Sequence, residues 1–556
     1  MDESYIFISR PFWTHFNISE NKALQLIRSY LGTSRVFTDI EIGIEYLRNV
    51  LDQVQKDIET TILSNDYITS IGQIYSIFNR TFRHYMIEKK DREKIDSLHI
   101  RDEDIIEKYS LNRNAYWTLL LSTNVWIENY LLLHTVNGKK PSVKINDDIN
   151  VDLFIMLYVY GVCSYSISLL TTSQKFKDTT KFPYQMIVYD KIIINEDICN
   201  PVELTQYHPV IYFDSLLCGN QEFGQEALEN LKDANASDFG VGFKKEYGIE
   251  FIFFLRILKT FMIDDLKDGK YFLCSLGKQD FLDRINSFCK PGELDTELFY
   301  ESFVLDKRTV ATQLKSNDRL IWRTGVNKHR HEIRPFICTD DNQVFLCYSA
   351  LEQAKQLWLS YYSNGGNIYS NVPTKSDALL QGIEVYTNKC TKKLVSMIRE
   401  ILRSHYSPTF DDIEVSYERI FGKKNEDYGD YDIVFYTETP EKELFLIEAK
   451  YFSDSLNPGA QMTDYEKLFR KGRYYDHCRK RCDLVISDPD AMKRFIKASG
   501  KIKVHFLFVS SKPLDIEFTD SDGVVSFPCL SIFDKYLEGK IESEDGRSII
   551  RPFHII

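Results

Sequence analysis

Residues 429–450 read Gly429-Asp430-Tyr431-Asp432-Ile433-Val434-Phe435-Tyr436-Thr437-Glu438-Thr439-Pro440-Glu441-Lys442-Glu443-Leu444-Phe445-Leu446-Ile447-Glu448-Ala449-Lys450. Two apolar runs flank a polar turn around Pro440, which predicts an antiparallel hairpin of buried strands. A register symmetric about Pro440 sets Tyr436 against Leu444 and Asp432 against Glu448. Directly opposed side chains in such a pair have Cβ atoms roughly 4.5–5.5 Å apart. Two carboxylates that close repel, so a fold keeps them by protonating one or by holding a cation between them. A hard divalent cation suits oxygen ligands, and magnesium needs only one or two protein carboxylates beside waters and phosphate. Strand alternation puts Glu448 and Lys450 on one face. Lys450 would then position an attacking water and offset charge building on a phosphate, while the small Ala449 points the other way into a core.

Outward from this hairpin, a long amphipathic helix is expected over residues 376–404 and a strand over 413–417. A basic helix is expected over 461–482, and an apolar strand over 504–510 closes the order. Helix, three strands, helix, strand is a compact α/β arrangement, assigned to residues 374–556. The polar loop containing Asn364-Gly365-Gly366-Asn367 and ending at Pro373 marks its beginning.

The runs Gly429-Asp430-Tyr431-Asp432-Ile433-Val434-Phe435 and Leu446-Ile447-Glu448-Ala449-Lys450 resemble the PD-(D/E)XK, or restriction-endonuclease-like, nuclease superfamily. The family's leading proline is replaced here by Tyr431. The resemblance covers residues 374–528 and nothing earlier. It implies a mixed sheet flanked by helices that cleaves phosphodiester bonds with magnesium, manganese serving as a substitute. It implies that Asp432, Glu448 and the Ala449 backbone carbonyl hold the metal and that Lys450 is the catalytic lysine. It also makes Glu384, on the first helix, a further metal ligand, a solvated helix glutamate being the plain alternative. Gln461 and Tyr465 match a Gln-x-x-x-Tyr pattern with which some members hold the nucleic-acid strand. Lys467, Arg470, Lys471 and Arg473, with Arg479, Lys480 and Arg481, form a basic helix suited to phosphate contact or, more plainly, a solvated face. A surface hairpin with an ordinary salt bridge is the alternative to the whole site.

The rest of the chain bounds these expectations. Its 556 residues exceed one ordinary core. Residues 1–300 read as mostly helical, with helical patterns over 42–63, 116–133, 153–170 and 247–262 and extended segments at 185–194 and 209–213. Residues 301–373 read as a mixed connector, with a hairpin around Thr339-Asp340-Asp341-Asn342. The run 153–170 carries no charge but is barely long enough to span a bilayer and holds three serines, so a buried core helix is expected. The net charge of −12 argues against coating nucleic acid through bulk charge. From Thr374 onward there are 28 Lys and Arg against 31 Asp and Glu, so most of the excess lies earlier. The 11 scattered cysteines lack zinc-ribbon spacing and suit a reducing cytoplasm. His329-Arg330-His331 reads as solvent-facing strand residues rather than a second metal site.

The resulting expectation is an α+β multidomain chain whose carboxy-terminal domain is a magnesium-dependent nuclease acting on DNA. By analogy with the resembled family, restriction or antiviral defence is its setting. The rivals are a nuclease for RNA or structured junctions, and an inactive nuclease fold used for binding or assembly. The first 300 residues are expected to control the nuclease by docking to it, to a second copy or to a partner protein, without membrane insertion.

Overall fold

The computed structural model describes residues 12–65, 67–97, 103–133, 149–177, 192–194, 199–201, 221–289, 294–313, 331–365, 378–453, 464, 467–470, 472–514, 516, 518–543 and 547–556. The chain is mixed α/β, with a helical amino-terminal region and a carboxy-terminal mixed sheet.

Long helices Ile40–Ser64, Tyr67–Ser97, Glu103–Leu133 and Val151–Lys177 build the amino-terminal region. Leu153, Phe154, Ile155, Leu157 and Tyr160 are buried in its core, and among the described residues no helix is long and apolar enough to cross a membrane. The helix expected over 247–262 starts later, at Phe251, runs to Thr260 and continues as a π turn over Phe261–Asp265; Tyr247 instead ends the preceding helix, Asp238–Tyr247, which Gly248 caps at φ +69°. Of the extended segment at 185–194, the strand Ile192–Ile194 is seen; 209–213 lies outside the described residues. The expected hairpin pairs Phe336–Cys338 with Gln343–Cys347, antiparallel, inside a four-stranded sheet. Its first strand is shorter than expected because the chain turns at residues 331–333.

In the carboxy-terminal region, α1 (Ala378–His405) leads into three antiparallel strands, β1 (Pro408–Ser416), β2 (Asp430–Thr437) and β3 (Glu443–Lys450). Two helices, α2 (Tyr474–Ser487) and α3 (Pro489–Ile496), then cross to β4 (Lys503–Ser510), which pairs parallel with β3. The short β5 (Val525–Ser526) extends the sheet, α4 (Leu530–Leu537) covers it, and β6 (His554–Ile555) pairs with β4. Alternation sorts the side chains. Ile433, Phe435, Phe445, Ile447, Ala449 and Leu507 pack under α1 and α4. On the other face Val434, Tyr436, Leu444, Leu446 and Phe506 pack with Cys478, Cys482 and Val485 of α2 and Met492 and Ile496 of α3.

The expected basic helix over 461–482 is interrupted. Gly472 adopts φ +73° and Arg473 is an extended cap, so α2 begins only at Tyr474.

Helix α1 belongs to two cores. Cys390, Leu394, Ile398 and Leu402, spaced by about one helical turn, face the sheet, each contributing about 1.5–3 kcal/mol of burial for the larger aliphatics. Its first turns face backwards: Leu379 and Ile383 pack with Phe239, Phe243 and Phe251. There α1 crosses helix Asp238–Tyr247 at backbone contact. A β-carbon on Gly382 would stand 2.4 Å from the Asp238 carbonyl oxygen, and one on Gly242 2.5 Å from that of Ala378. The buried Glu246 accepts the Leu379 N–H at 3.2 Å, satisfying one of the unpaired donors at the helix start. A fragment beginning at Thr374 would therefore expose Leu379 and Ile383.

Candidate metal and phosphate site

The hairpin register is the one a turn centred on Pro440 requires: Tyr436 pairs with Leu444, and the ladder runs as far as Ile447 opposite Ile433. Asp432 is the next residue on its strand. Its Oδ2 accepts the Ala449 N–H at 2.7 Å, so at the end of the ladder a side-chain carboxylate bonds the neighbouring strand's backbone. That bond fixes Asp432 against β3. The Ala449 methyl is buried on the opposite, α1-facing side.

Lys450 Nζ lies 3.1 Å from Asp432 Oδ2 and 2.6 Å from Glu448 Oε1, so two carboxylates from adjacent strands converge on one ammonium. Glu448 is buried, whereas the Asp432 and Lys450 side chains are each 20% exposed and form the open side. Burial, then the neighbouring Glu448 charge, push the Asp432 carboxyl above the usual carboxylate range; Lys450 and the Ala449 N–H offset this only in part. Burial alone would lower the Lys450 ammonium, but the two carboxylates outweigh it and hold it protonated. Lys450 Nζ also stands 5.4 Å from the Tyr474 ring centre, a cation–π contact at the start of α2.

Arg481 completes the cluster. It pairs with Glu448 Oε2 from behind, donates to the Tyr428 carbonyl, and lies over the Tyr431 ring at 5.3 Å. Tyr431 donates its hydroxyl proton to the Arg481 carbonyl at 3.1 Å. Arg481, expected to meet phosphate or solvent, does neither: it is 2% exposed and paired with Glu448. A signal was available, because Arg481 falls in the same helical stripe as the apolar Cys478, Cys482 and Val485. Arg479 and Lys480 are likewise engaged, with Asp483, Asp520 and Asp522, and with Glu426.

The other expected residues scatter. Lys467, Arg470 and Arg473 are exposed just ahead of α2. Lys471, Gln461 and Tyr465 lie outside the described residues. Glu384 is exposed on α1, the helix that covers the opposite face of the sheet from Glu448 and Lys450. His329 and Arg330 lie outside the described residues, but His331 is not solvent-facing as expected. It is fully buried, with Nε2 at 2.8 Å from the Tyr75 hydroxyl and Nδ1 at 2.7 Å from Asn124 Oδ1, and burial holds it neutral, lowered to about 3. These bonds tie the loop to helices Tyr67–Ser97 and Glu103–Leu133.

Among the described residues no group of three His, Cys, Asp or Glu side chains gathers to hold a metal. The two carboxylates that converge here nonetheless suit magnesium, which needs only one or two protein carboxylates and completes its shell with water and phosphate oxygens. Asp432, Glu448 and the Ala449 carbonyl would hold it. No family model matches the chain, and no match was found among curated proteins or solved structures.

Proposed function

We propose that the chain is a magnesium-dependent nuclease of the restriction-endonuclease-like kind, hydrolysing phosphodiester bonds in DNA. One observation carries this reading: Asp432, held by the Ala449 N–H, and Glu448 converge on Lys450 at the open end of a mixed sheet. Magnesium bound there would supply polarisation of a phosphate oxygen and a more acidic water.

The chain's own groups do the rest. Asp432 is oriented by a backbone donor and Glu448 by Arg481, so both carboxylates are held in place before substrate arrives. Lys450 stays protonated and places a positive charge where a phosphate would gain negative charge. Of the expected basic residues, Lys467, Arg470 and Arg473 are exposed in the stretch leading into Tyr474, whose ring contacts Lys450, and are the ones left to meet a phosphate backbone. The intimate seat of α1 on helix Asp238–Tyr247 supports control of the site by the preceding region.

The test is incubation of the purified full chain with plasmid DNA, single-stranded DNA and RNA, with and without magnesium. Magnesium-dependent cutting of DNA is expected. Preferential cutting of RNA would replace the substrate assignment, and no cutting of any of the three would leave an assembly or binding role for the fold.

A further inference from the structure

Arg481 is more deeply buried than any other charge of the cluster. A guanidinium among the apolar residues of a packed helix is costly to desolvate unless strong partners meet it. The hairpin and the loop leading into it supply its charged, hydrogen-bonding and ring partners, Glu448, the Tyr428 carbonyl and the Tyr431 ring. Its Nε finds no acceptor, so the group is not placed to satisfy its own donors. It is placed on Glu448. Gly429 makes the room: it adopts φ +71°, and a β-carbon there would stand 3.1 Å from Arg481 Nη1. Tyr431, which clasps Arg481 from ring and hydroxyl, thereby has a reason to stand where the resembled family carries proline.

The charges balance. Asp432 and Glu448 are matched by Lys450 and Arg481 in one connected network. Two carboxylates and a lysine alone would carry one negative charge and attract a dication. With Arg481 present a dication enters a neutral centre, and its charge must be met by anionic oxygens from outside the protein. A phosphodiester brings them.

The geometry points to Arg481 as a positioning residue that holds Glu448 and keeps the carboxylate–lysine centre neutral, so that a divalent cation is retained only together with a substrate phosphate. The inference rests on the proposed cleavage reaction for the phosphate, though not for the charge balance.

Calorimetric titration of the full chain with Mn²⁺, alone and with a phosphorothioate-linked DNA oligonucleotide, tests it. Wild-type protein should bind Mn²⁺ at least about tenfold more tightly when the oligonucleotide is present. Arg481→Met should bind Mn²⁺ alone at least about tenfold more tightly than wild type, because one unit of repulsion is gone. Arg481→Lys, which keeps the charge, should stay within about threefold of wild type. A folded Arg481→Met that binds Mn²⁺ no better than wild type overturns the role. If that variant does not fold, the wild-type titrations decide: Mn²⁺ affinity unmoved by the oligonucleotide overturns it equally. A chain that cuts no nucleic acid yet gains Mn²⁺ affinity in Arg481→Met overturns the cleavage reading and upholds the charge balance. No Mn²⁺ binding to any form overturns both.

Discussion

Glu443 and Glu448 stand on the same strand, both buried and both facing an arginine, yet the two ends of β3 are built differently. At Glu443 one carboxylate meets two basic groups, His505 at 3.4 Å and Arg551 at 3.2 Å. Burial alone would raise Glu443, but the His505 hydrogen bond and the Arg551 charge outweigh it and hold the carboxyl at about 2. At the other end Glu448 shares its ammonium with a second carboxylate, and Asp432 is pushed up rather than down. The first arrangement relieves the cost of a buried charge and ties the carboxy-terminal segment around Arg551 to the sheet. The second keeps two acids together and leaves one of them partly open to solvent. Two acids kept together beside an opening support the proposed chemical role, because a purely structural pair gains nothing from such an arrangement.

The sharpest way to break this comparison is to remove the second carboxylate. Asp432→Ala and Lys450→Ala should each lower cleavage by on the order of 10²–10³-fold or more; Asp432→Ala should unfold near wild type, whereas Lys450→Ala leaves two carboxylates without their shared ammonium and should unfold more easily. Glu448→Ala should also abolish cleavage, but it leaves Arg481 buried without its carboxylate and should cost about 3–5 kcal/mol. Full cleavage by a folded Asp432→Ala protein would sink the site assignment.

Metal removal acts on the same end. Excess EDTA should stop cleavage, magnesium or manganese should restore it, and calcium should support binding with little cutting because its looser shell positions water poorly. Cutting that persists in EDTA would remove the metal from the proposal.

The opposite end should respond in stability and not in chemistry. Glu443→Ala should unfold more easily by about 1–3 kcal/mol and still cleave at the wild-type rate. Its partners also set a pH window. The folded-state carboxyl is depressed below its unfolded value, so its stabilisation is complete above the unfolded value and is lost as pH falls through about 2. Denaturant melts of wild type and Glu443→Ala should therefore converge as pH falls from about 5 towards 2. A gap that stays constant over that range would show that Glu443 is not ionised in the folded protein.

The smallest effect concerns the exposed charges ahead of α2. Replacing Lys467, Arg470 and Arg473 with glutamine should weaken DNA binding and flatten its logarithmic salt slope by roughly 1–3 units. Replacing Arg479 and Lys480, which already have acidic partners, should leave the slope unchanged. Equal effects from both sets would mean that the internal ion pairs open when nucleic acid binds.

Several features were legible in the sequence for local reasons. The hairpin around Pro440 follows from two apolar runs and one turn, and its register follows from where that turn sits. The proximity of Asp432, Glu448 and Lys450 is a consequence of that register and of strand alternation. The long α1 follows from its amphipathic period and the closing β4 from its short apolar run. The break at Gly472 was hidden because the basic residues on both sides keep a helical rhythm. The burial of His331 was hidden because its partners, Tyr75 and Asn124, lie hundreds of residues away in the chain.

By itself, then, the sequence determined a carboxy-terminal hairpin with two acids and a lysine at its end, since neighbours along a strand pair are set by backbone geometry over some twenty residues. Only the tertiary structure decided what stands behind and around them. It put Arg481 on Glu448, left Glu384 exposed on the helix covering the other face, and gave the first turns of α1 to the core of the preceding region. Those outcomes depend on which faces of separate helices meet the sheet, and that is settled by the burial of apolar surface across the whole molecule rather than by any local pattern.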